Sequence, residues 1–150
     1  MKSMANKSPK HLSLAVQYAC SHDALPSRAQ IRRWVTASIE RNAEITIRFV
    51  DASEGQAINH KYRKKNFATN VLSFVYQNKP VTGDLVLCVP VVLREAREQK
   101  KPAQSHFAHM IAHGMLHLQG YDHESGEQQA ARMESRECEI LARFGIADPY

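Results

Sequence analysis

Residues 106–123 read HFAHMIAHGMLHLQGYDH, which is the most informative stretch of the chain. At about 100° per residue, four of its histidines fall within an arc of about 80° on one helix face: His106, His109, His113 and His117. Most other positions of this helix are apolar, so we expect it to be buried with imidazole as its main polar stripe. An unpaired buried polar group costs about 1–3 kcal/mol, and a shared metal ion would satisfy several imidazoles at once.

Three histidines in this stretch have a spacing typical of metal ligands. His113 and His117 lie one turn apart on the same helix face, where both can reach one ion. Gly120 lets the chain reverse after the helix, so that His123 can return as a third ligand. The spacing matches the zinc-binding stretch of the metzincin proteases, His-x-x-x-His-x-x-Gly-x-x-His. Three neutral imidazoles leave a fourth position for water, which predicts a catalytic metal site and not a closed structural one.

His109 competes for the same role, because it also lies one turn from His113. Ligands in succession along a straight helix separate by about 5.4 Å per turn, however, and three in a row fit one small ion poorly. We therefore prefer His123 as the third ligand and expect His109 and His106 to support the site or the core.

Gly114 stands where a metzincin protease carries the glutamate that acts as its general base. The helix supplies no carboxylate at that position. Peptide hydrolysis by the usual route of these proteases is therefore disfavoured.

Outward from this helix, strand and helix patterns interleave along the chain. Period-two alternation and apolar runs predict strands over 11–18, 44–50, 71–76 and 84–89. Capping and periodicity predict helices over 27–39, 53–65, 90–99, 102–119 and 125–145, with capping boxes beginning at Ser27, Ser53 and Ser125. We expect a single α+β domain in which about four strands form a mixed sheet packed with about five helices, the metal-binding helix being buried. We expect residues 1–10 to form a polar N-terminal tail and residues 11–150 to form a single metallohydrolase domain.

Composition and charge exclude several classes of protein. The 150 residues are 43% hydrophobic and 23% charged, a globular mixture. Three widely spaced cysteines give neither a disulfide framework nor a thiolate zinc knuckle, and they fit a reducing compartment. The longest apolar run, residues 85–93, is broken by Pro90 and cannot span a bilayer, so the expected location is the cytoplasm. The net charge of +5 is compatible with a polyanionic partner.

The sequence resembles the YbeY family of bacterial rRNA-maturation endoribonucleases. Three blocks carry the resemblance: HGMLHLQGYDH at 113–123; Asn59, Tyr62, Arg63 and Lys65 followed by TNVLSF at 69–74; and GDL at 83–85. The blocks occur in the order of the family and cover roughly residues 44–125. Asn66 and Ala68 depart from the residues that the family often has there, which affects loop detail only.

The resemblance implies a metal-dependent, single-strand-directed endoribonuclease that acts in rRNA maturation, notably at the 3′ end of 16S rRNA, and in ribosome quality control. It also implies one zinc ion per chain, held by His113, His117 and His123, and a catalytic role for Arg63. The implied partners are single-stranded RNA or rRNA and the ribosome or its small subunit, with no membrane. Protein partners are left open.

A mechanism follows as a hypothesis. Zinc would lower the pKa of a water molecule toward about 7, and Arg63 would bind the phosphate oxygens through its planar guanidinium. Three neighbouring basic residues either follow the RNA backbone or only solubilise their helix: Lys61, Lys64 and Lys65.

The acidic residues near the predicted site have two interpretations each. Asp122 and Glu124 flank His123, and each is either a general base or a cap of the last helix. Asp84 either orients a ligand histidine or belongs to a turn. Attack by water and attack by the RNA 2′-hydroxyl both remain open.

Two rival classes remain. One is a metallohydrolase of another substrate, a peptide or a small molecule, although Gly114 argues against peptides. The other is a non-catalytic, ribosome-associated protein with a structural zinc, which predicts RNA binding without cleavage.

Overall fold

The computed structural model describes residues 10–150, which form four strands and five helices. In chain order they are β1 (Leu12–Tyr18), α1 (Arg28–Ser38), β2 (Ala43–Val50), α2 (Ala52–Arg63), β3 (Val71–Asn78), β4 (Val81–Cys88), α3 (Val89–Glu98), α4 (Ala103–Leu118) and α5 (Glu127–Ala142). The predicted α+β class is confirmed. Residues 1–9 of the predicted polar tail lie outside the described residues, so the domain boundary at residue 11 stays a prediction.

The four strands form one mixed sheet in the order β1-β2-β4-β3. β2 pairs in parallel with both β1 and β4, and β3 runs antiparallel to β4 at one edge. The β3–β4 hairpin extends both strands beyond the predicted ranges, because the two pair down to Asn78 and Val81. The mixed sheet predicted from the sequence is confirmed.

Each face of the sheet is covered by its own apolar cluster. In β4, Leu85 and Leu87 belong to the larger cluster, which includes residues of α1, α3 and α4. Val86 and Cys88 point to the opposite face and join the smaller cluster, which Ile58 of α2 borders. This alternation is the normal period-two geometry of a strand.

Helix α4 lies in the larger cluster, and 11 of its 16 residues are buried. The prediction that this histidine-rich helix is buried is therefore confirmed. Across the described residues, no helix has both the length and the apolar character needed to cross a membrane.

The capping predictions have different outcomes. Ser27 caps α1 as predicted. Its hydroxyl accepts a hydrogen bond from the Gln30 N–H, and the side-chain oxygen of Gln30 accepts one from the Ser27 N–H. The capping box at Ser53 is wrong. Helix α2 starts at Ala52, capped by Asp51, whose carboxylate accepts from the Glu54 N–H at 2.9 Å. β2 ends directly before Asp51, so this equally good capping residue precedes Ser53 where the chain leaves the sheet.

The predicted cap at Ser125 is also wrong. Helix α5 begins at Glu127, and Gly126 at its N-cap offers no side chain. The Ser125 hydroxyl instead donates to the carboxylate of Asp122 inside the preceding loop. A local hydrogen bond within the loop has therefore replaced the helix cap.

Candidate metal centre

Three histidine rings converge beside the end of α4. Their centroids are 5.0 Å apart for His113–His117, 5.1 Å for His113–His123 and 5.2 Å for His117–His123. One nitrogen of each ring lies within 4.8 Å of the other two. Nitrogen pairs around a tetrahedral zinc are about 3.4 Å apart, so small ring rotations would bring the three onto one ion. The structure thus brings together the three residues predicted as ligands.

The turn after α4 places His123. Gly120 has a φ of +100°, a left-handed conformation that glycine adopts at little cost. The Gly120 N–H donates to the carbonyl of His117 at 3.1 Å, and the Tyr121 N–H donates to that of Leu116 at 3.0 Å. These two hydrogen bonds form a Schellman motif, which closes the helix and reverses the chain. Tyr121 is buried and packs in an apolar cluster with Leu116 and Met133.

Glu137 of α5 orients the first of the three histidines. Its Oε2 lies 2.7 Å from Nδ1 of His113, which leaves Nε2 of that ring for the shared site. Its Oε1 lies 2.7 Å from Nε2 of His109 and also accepts from the hydroxyl of Tyr150. The carboxylate is fully buried. Burial alone would raise the pKa of Glu137, but the hydrogen bonds from His109, His113 and Tyr150 outweigh it and lower the pKa to about 2.

Sequence reasoning missed Glu137. A signal was present, because Glu137 lies among Met133, Ile140 and Leu141 on the buried face of α5. A carboxylate inside an apolar stripe needs a partner, and the nearby histidine helix offers one.

The environment of His117 favours the protonation state that a ligand needs. Burial lowers its pKa, and the neighbouring His113 and His123 lower it further by repelling a positive charge. A neutral imidazole is the form that binds metal. The neutral state of the His117 ring, the convergence of the three histidines and their nitrogen donors therefore all fit a divalent cation of the zinc type.

The remaining two histidines of the stripe bond to carboxylates. Nε2 of His106 lies 2.8 Å from Oε1 of Glu95, which also accepts from the amide of Asn70 at 3.2 Å. His109 contacts Glu137, as described above. Both histidines thus bond to a carboxylate, in line with the supporting roles expected for them.

A cleft of about 450 Å³ opens over the three histidines. Its opposite wall includes Arg63, at the C-terminal end of α2, together with Ser73 and Val75 of the edge strand β3. Helix α2 ends here because Lys64 adopts a left-handed conformation with a φ of 61°. Arg63 and the histidines therefore face one common space, although they come from opposite sides of the sheet edge.

The three acidic residues considered for a role at the site lie in different environments. Glu124 lines the cleft, with Oε2 3.9 Å from Nε2 of His123 and a side chain that is 82% exposed. Asp122 accepts from the hydroxyl of Ser125 and from the Glu124 N–H, and these bonds lower its pKa. Neither residue caps α5. Asp84 lies within β4 and accepts from the Tyr76 hydroxyl at 2.7 Å, so Glu137 and not Asp84 contacts one of the three converging histidines.

Gly114 is the point at which α4 touches the sheet. A Cβ atom at this position would lie 2.7 Å from Cδ2 of Leu85. The close approach leaves no space for a side chain, which gives a physical reason why the glutamate of a protease is absent here.

Exposed aromatic side chains lie on α2, which carries Arg63, and on β3, which contributes Ser73 and Val75 to the cleft. Tyr62 is 59% exposed and Tyr76 is 66% exposed. The ring of Tyr62 meets that of Phe74 edge to face at 5.3 Å, and the ammonium of Lys61 lies 5.2 Å from its centroid.

Comparison with known proteins gives the family. The model of the endoribonuclease YbeY family matches residues 18–145. The chain belongs to the endoribonuclease YbeY family. It is 58% identical over 142 residues to endoribonuclease YbeY of Thiobacillus denitrificans, covering 93% of this chain and 96% of that protein. It is 51% identical over 145 residues to endoribonuclease YbeY of Delftia acidovorans, covering 93% and 95% respectively.

A solved structure supports the fold. The solution structure of TM1509 from Thermotoga maritima matches with a TM-score of 0.61 at 20% identity, covering 88% of this chain and 91% of that one. The resemblance to the YbeY family that the sequence predicts is confirmed. The roles of Arg63, His113, His117 and His123 stay predictions, with a geometry that fits them.

Proposed function

We propose that this YbeY-family chain is a metal-dependent endoribonuclease that cuts single-stranded RNA in rRNA maturation, at the 3′ end of 16S rRNA, and in ribosome quality control. Residues 11–150 form its metallohydrolase domain, which works in the cytoplasm on the ribosome or its small subunit. One observation carries the proposal: three converging imidazoles and Arg63 line the same cleft in a chain of the endoribonuclease YbeY family.

One zinc ion per chain is the proposed cofactor, held by His113, His117 and His123. Three imidazoles suit zinc, and the cleft above them leaves room for a fourth ligand. Bound there, zinc supplies Lewis-acid chemistry, which lowers the pKa of water and neutralises charge on a phosphate.

Arg63 is the proposed catalytic residue that binds the phosphate. In the part of the chain that the structure describes, its guanidinium forms no ion pair with a carboxylate. The side chain is therefore available for a phosphate. A guanidinium stays charged at any working pH and donates two parallel hydrogen bonds, which suits the extra negative charge of the transition state.

The surface around Arg63 supports a single strand as the substrate. Tyr62 and Tyr76 offer exposed rings on which unpaired bases can stack. Three lysines close to Tyr62 in the sequence add positive charge for the backbone: Lys61, Lys64 and Lys65. A duplex keeps its bases stacked inside, so it gains only the backbone contacts.

Proton transfer has one carboxylate candidate. Glu124 faces the cleft beside His123, whereas Asp122 is held by hydrogen bonds within its own loop. The product ends distinguish the two routes of attack. A cyclic 2′,3′-phosphate identifies the RNA 2′-hydroxyl as the nucleophile, and a 5′-phosphate on the downstream fragment identifies water.

The test combines metal analysis with cleavage of a 16S rRNA precursor. His113→Ala should lose both the metal and cleavage. Arg63→Ala should keep the metal and lose about 10²–10³-fold in kcat/KM, the usual effect of removing one donor to a developing oxyanion. Arg63→Lys should recover only part of this loss, because an ammonium lacks the planar pair of donors. His60→Ala, an exposed histidine on the same helix as Arg63, is the matched control.

Several outcomes would overturn the proposal. Equal cleavage by wild type and His113→Ala would exclude the metal mechanism. A fully loaded, folded wild type that binds RNA without cutting it would identify the rival with a structural zinc. Cleavage of casein in preference to RNA would identify a different metallohydrolase.

A further inference from the structure

The carboxylate of Glu137 joins the candidate metal centre to two other parts of the chain. It lies between α4 and α5 and is fully buried. Three donors surround it: Nδ1 of His113 and Nε2 of His109, each at 2.7 Å, and the hydroxyl of Tyr150. Tyr150 belongs to the segment after Gly145, and its ring meets that of His109 edge to face at 5.5 Å.

These contacts determine which nitrogen of His113 carries a proton. An ionised carboxylate only accepts hydrogen bonds, so Nδ1 of His113 must carry the hydrogen that it donates to Glu137. In the neutral ring, Nε2 then presents a lone pair toward His117 and His123, the form that binds metal. The opposite tautomer would set a lone pair against the carboxylate and a proton against the other two rings.

Because Tyr150 bonds to the same carboxylate, it also contributes to fixing the tautomer of His113. Both Tyr150 and His109 contact Oε1 of Glu137, and they hold it while Oε2 faces His113. A buried carboxylate with fewer donors would be free to turn, and the orientation of the His113 ring would be lost with it.

We propose that Glu137 is a positioning residue that holds His113 in its metal-binding tautomer, and that Tyr150 couples residues 146–150 to the metal centre through the same carboxylate. The proposal rests on the metal site of the proposed function. Its tests do not require RNA cleavage, and the first requires no metal.

The first test reads the tautomer directly in metal-free protein, from long-range ¹⁵N–¹H correlations of the histidine rings. Wild type should show His113 protonated at Nδ1. Glu137→Gln offers a single acceptor oxygen to two imidazoles, so His113 should show a mixture of tautomers. Glu139→Gln is the matched control, since it removes the same charge from an exposed position on the same helix. Finding His113 protonated at Nε2 in wild type would overturn the proposal even if Glu137→Gln did not fold.

The second test measures zinc affinity by competition with a chelator, under conditions where every variant is folded by circular dichroism. Glu137→Gln should bind zinc about 10–100-fold more weakly, the usual loss when an outer hydrogen-bond partner of a ligand is removed. Tyr150→Phe, which removes only a hydroxyl, should weaken binding by about fivefold or more. An affinity within twofold of wild type in Glu137→Gln would overturn the role of Glu137.

The coupling between the metal centre and residues 146–150 can also be measured in the opposite direction, as an effect of metal on this segment. If Tyr150 strengthens metal binding, then metal must order this segment by the same free energy. Zinc should therefore slow amide hydrogen exchange at 146–150 in wild type and have little effect there in Tyr150→Phe. Equal slowing in both proteins would overturn the coupling. Failure of wild type to bind zinc at all would instead contradict the proposed function, and the tautomer measurement would still report on Glu137.

Discussion

Replacing Gly114 by alanine tests the close contact between α4 and the sheet. The new Cβ would lie 2.7 Å from Cδ2 and 3.1 Å from Cδ1 of Leu85. Unstrained carbon atoms are about 3.5–4.0 Å apart, so the overlap with Cδ2 is about 0.8–1.3 Å. Leu85 is fully buried and cannot move its methyl groups into solvent. Overpacking of this kind costs about 1–3 kcal/mol.

A second effect has the opposite sign. Alanine in a helix interior is more favourable than glycine by about 1 kcal/mol. The net expectation for Gly114→Ala is a loss of about 1 kcal/mol in the free energy of unfolding, or about 2–4 °C in Tm. Urea unfolding followed by the fluorescence of Trp34, the one tryptophan of the chain, measures the change.

A double variant separates the steric cost from other causes. Leu85→Ala alone should cost about 2–5 kcal/mol, because it leaves a cavity in the core. In Gly114→Ala/Leu85→Ala the added methyl group enters that cavity, so the two losses should be less than additive by about 1 kcal/mol or more. Gly55→Ala is a graded control, since its Cβ would lie 3.0 Å from Sγ of Cys88. A Gly114→Ala protein as stable as wild type, or strict additivity in the double variant, would refute the steric reasoning.

Three further predictions concern the surface, a helix end and pH. Tyr62→Ala should weaken binding of single-stranded RNA by about 1–3 kcal/mol in fluorescence anisotropy and leave duplex binding unchanged; an equal loss for duplex would count against stacking. Gln119→Ala should lower the free energy of unfolding by about 1–3 kcal/mol in urea titrations, because the side chain accepts from the Glu40 N–H and donates to the Ser38 carbonyl; no loss would show that water replaces it. Burial lowers the pKa of His106, so its stabilising effect is present above about pH 6.5 and lost as pH falls. His106→Gln should therefore show a shallower loss of stability below that pH in chelated protein, and a slope unchanged from wild type would contradict this.

The three proposed ligands could be predicted because their arrangement is local. His113 and His117 are related by one helix turn, and His123 follows within a single glycine turn. Helix rise and twist determine such positions without knowledge of the rest of the fold. Arg63 is different, because only the end of α2 beside the edge strand β3 brings it to the cleft. The sequence pattern alone did not distinguish it from a solvated residue, and only the resemblance indicated its role.

The capping predictions show where local patterns become ambiguous. Ser27 and Ser53 each precede a glutamine by three residues, and only Ser27 caps a helix. At the second site Asp51 directly follows β2 and takes the cap. The start of α2 is thus determined by where the sheet ends, which depends on strand pairing across the whole domain.

Glu137 could not be assigned from the histidine pattern because its contacts join two helices through tertiary packing. The structure shows that His113 lies between two groups of residues. On one side His109 shares the Glu137 carboxylate with it, at a ring separation of 6.4 Å. On the other side the rings of His117 and His123 lie 5.0 and 5.1 Å away. Because an imidazole has two nitrogens, His113 alone can serve both groups, so the carboxylate that holds its Nδ1 hydrogen also directs its Nε2 lone pair. His109 bonds to the same carboxylate but does not belong to the group of three converging histidines, in line with the spacing argument that preferred His123.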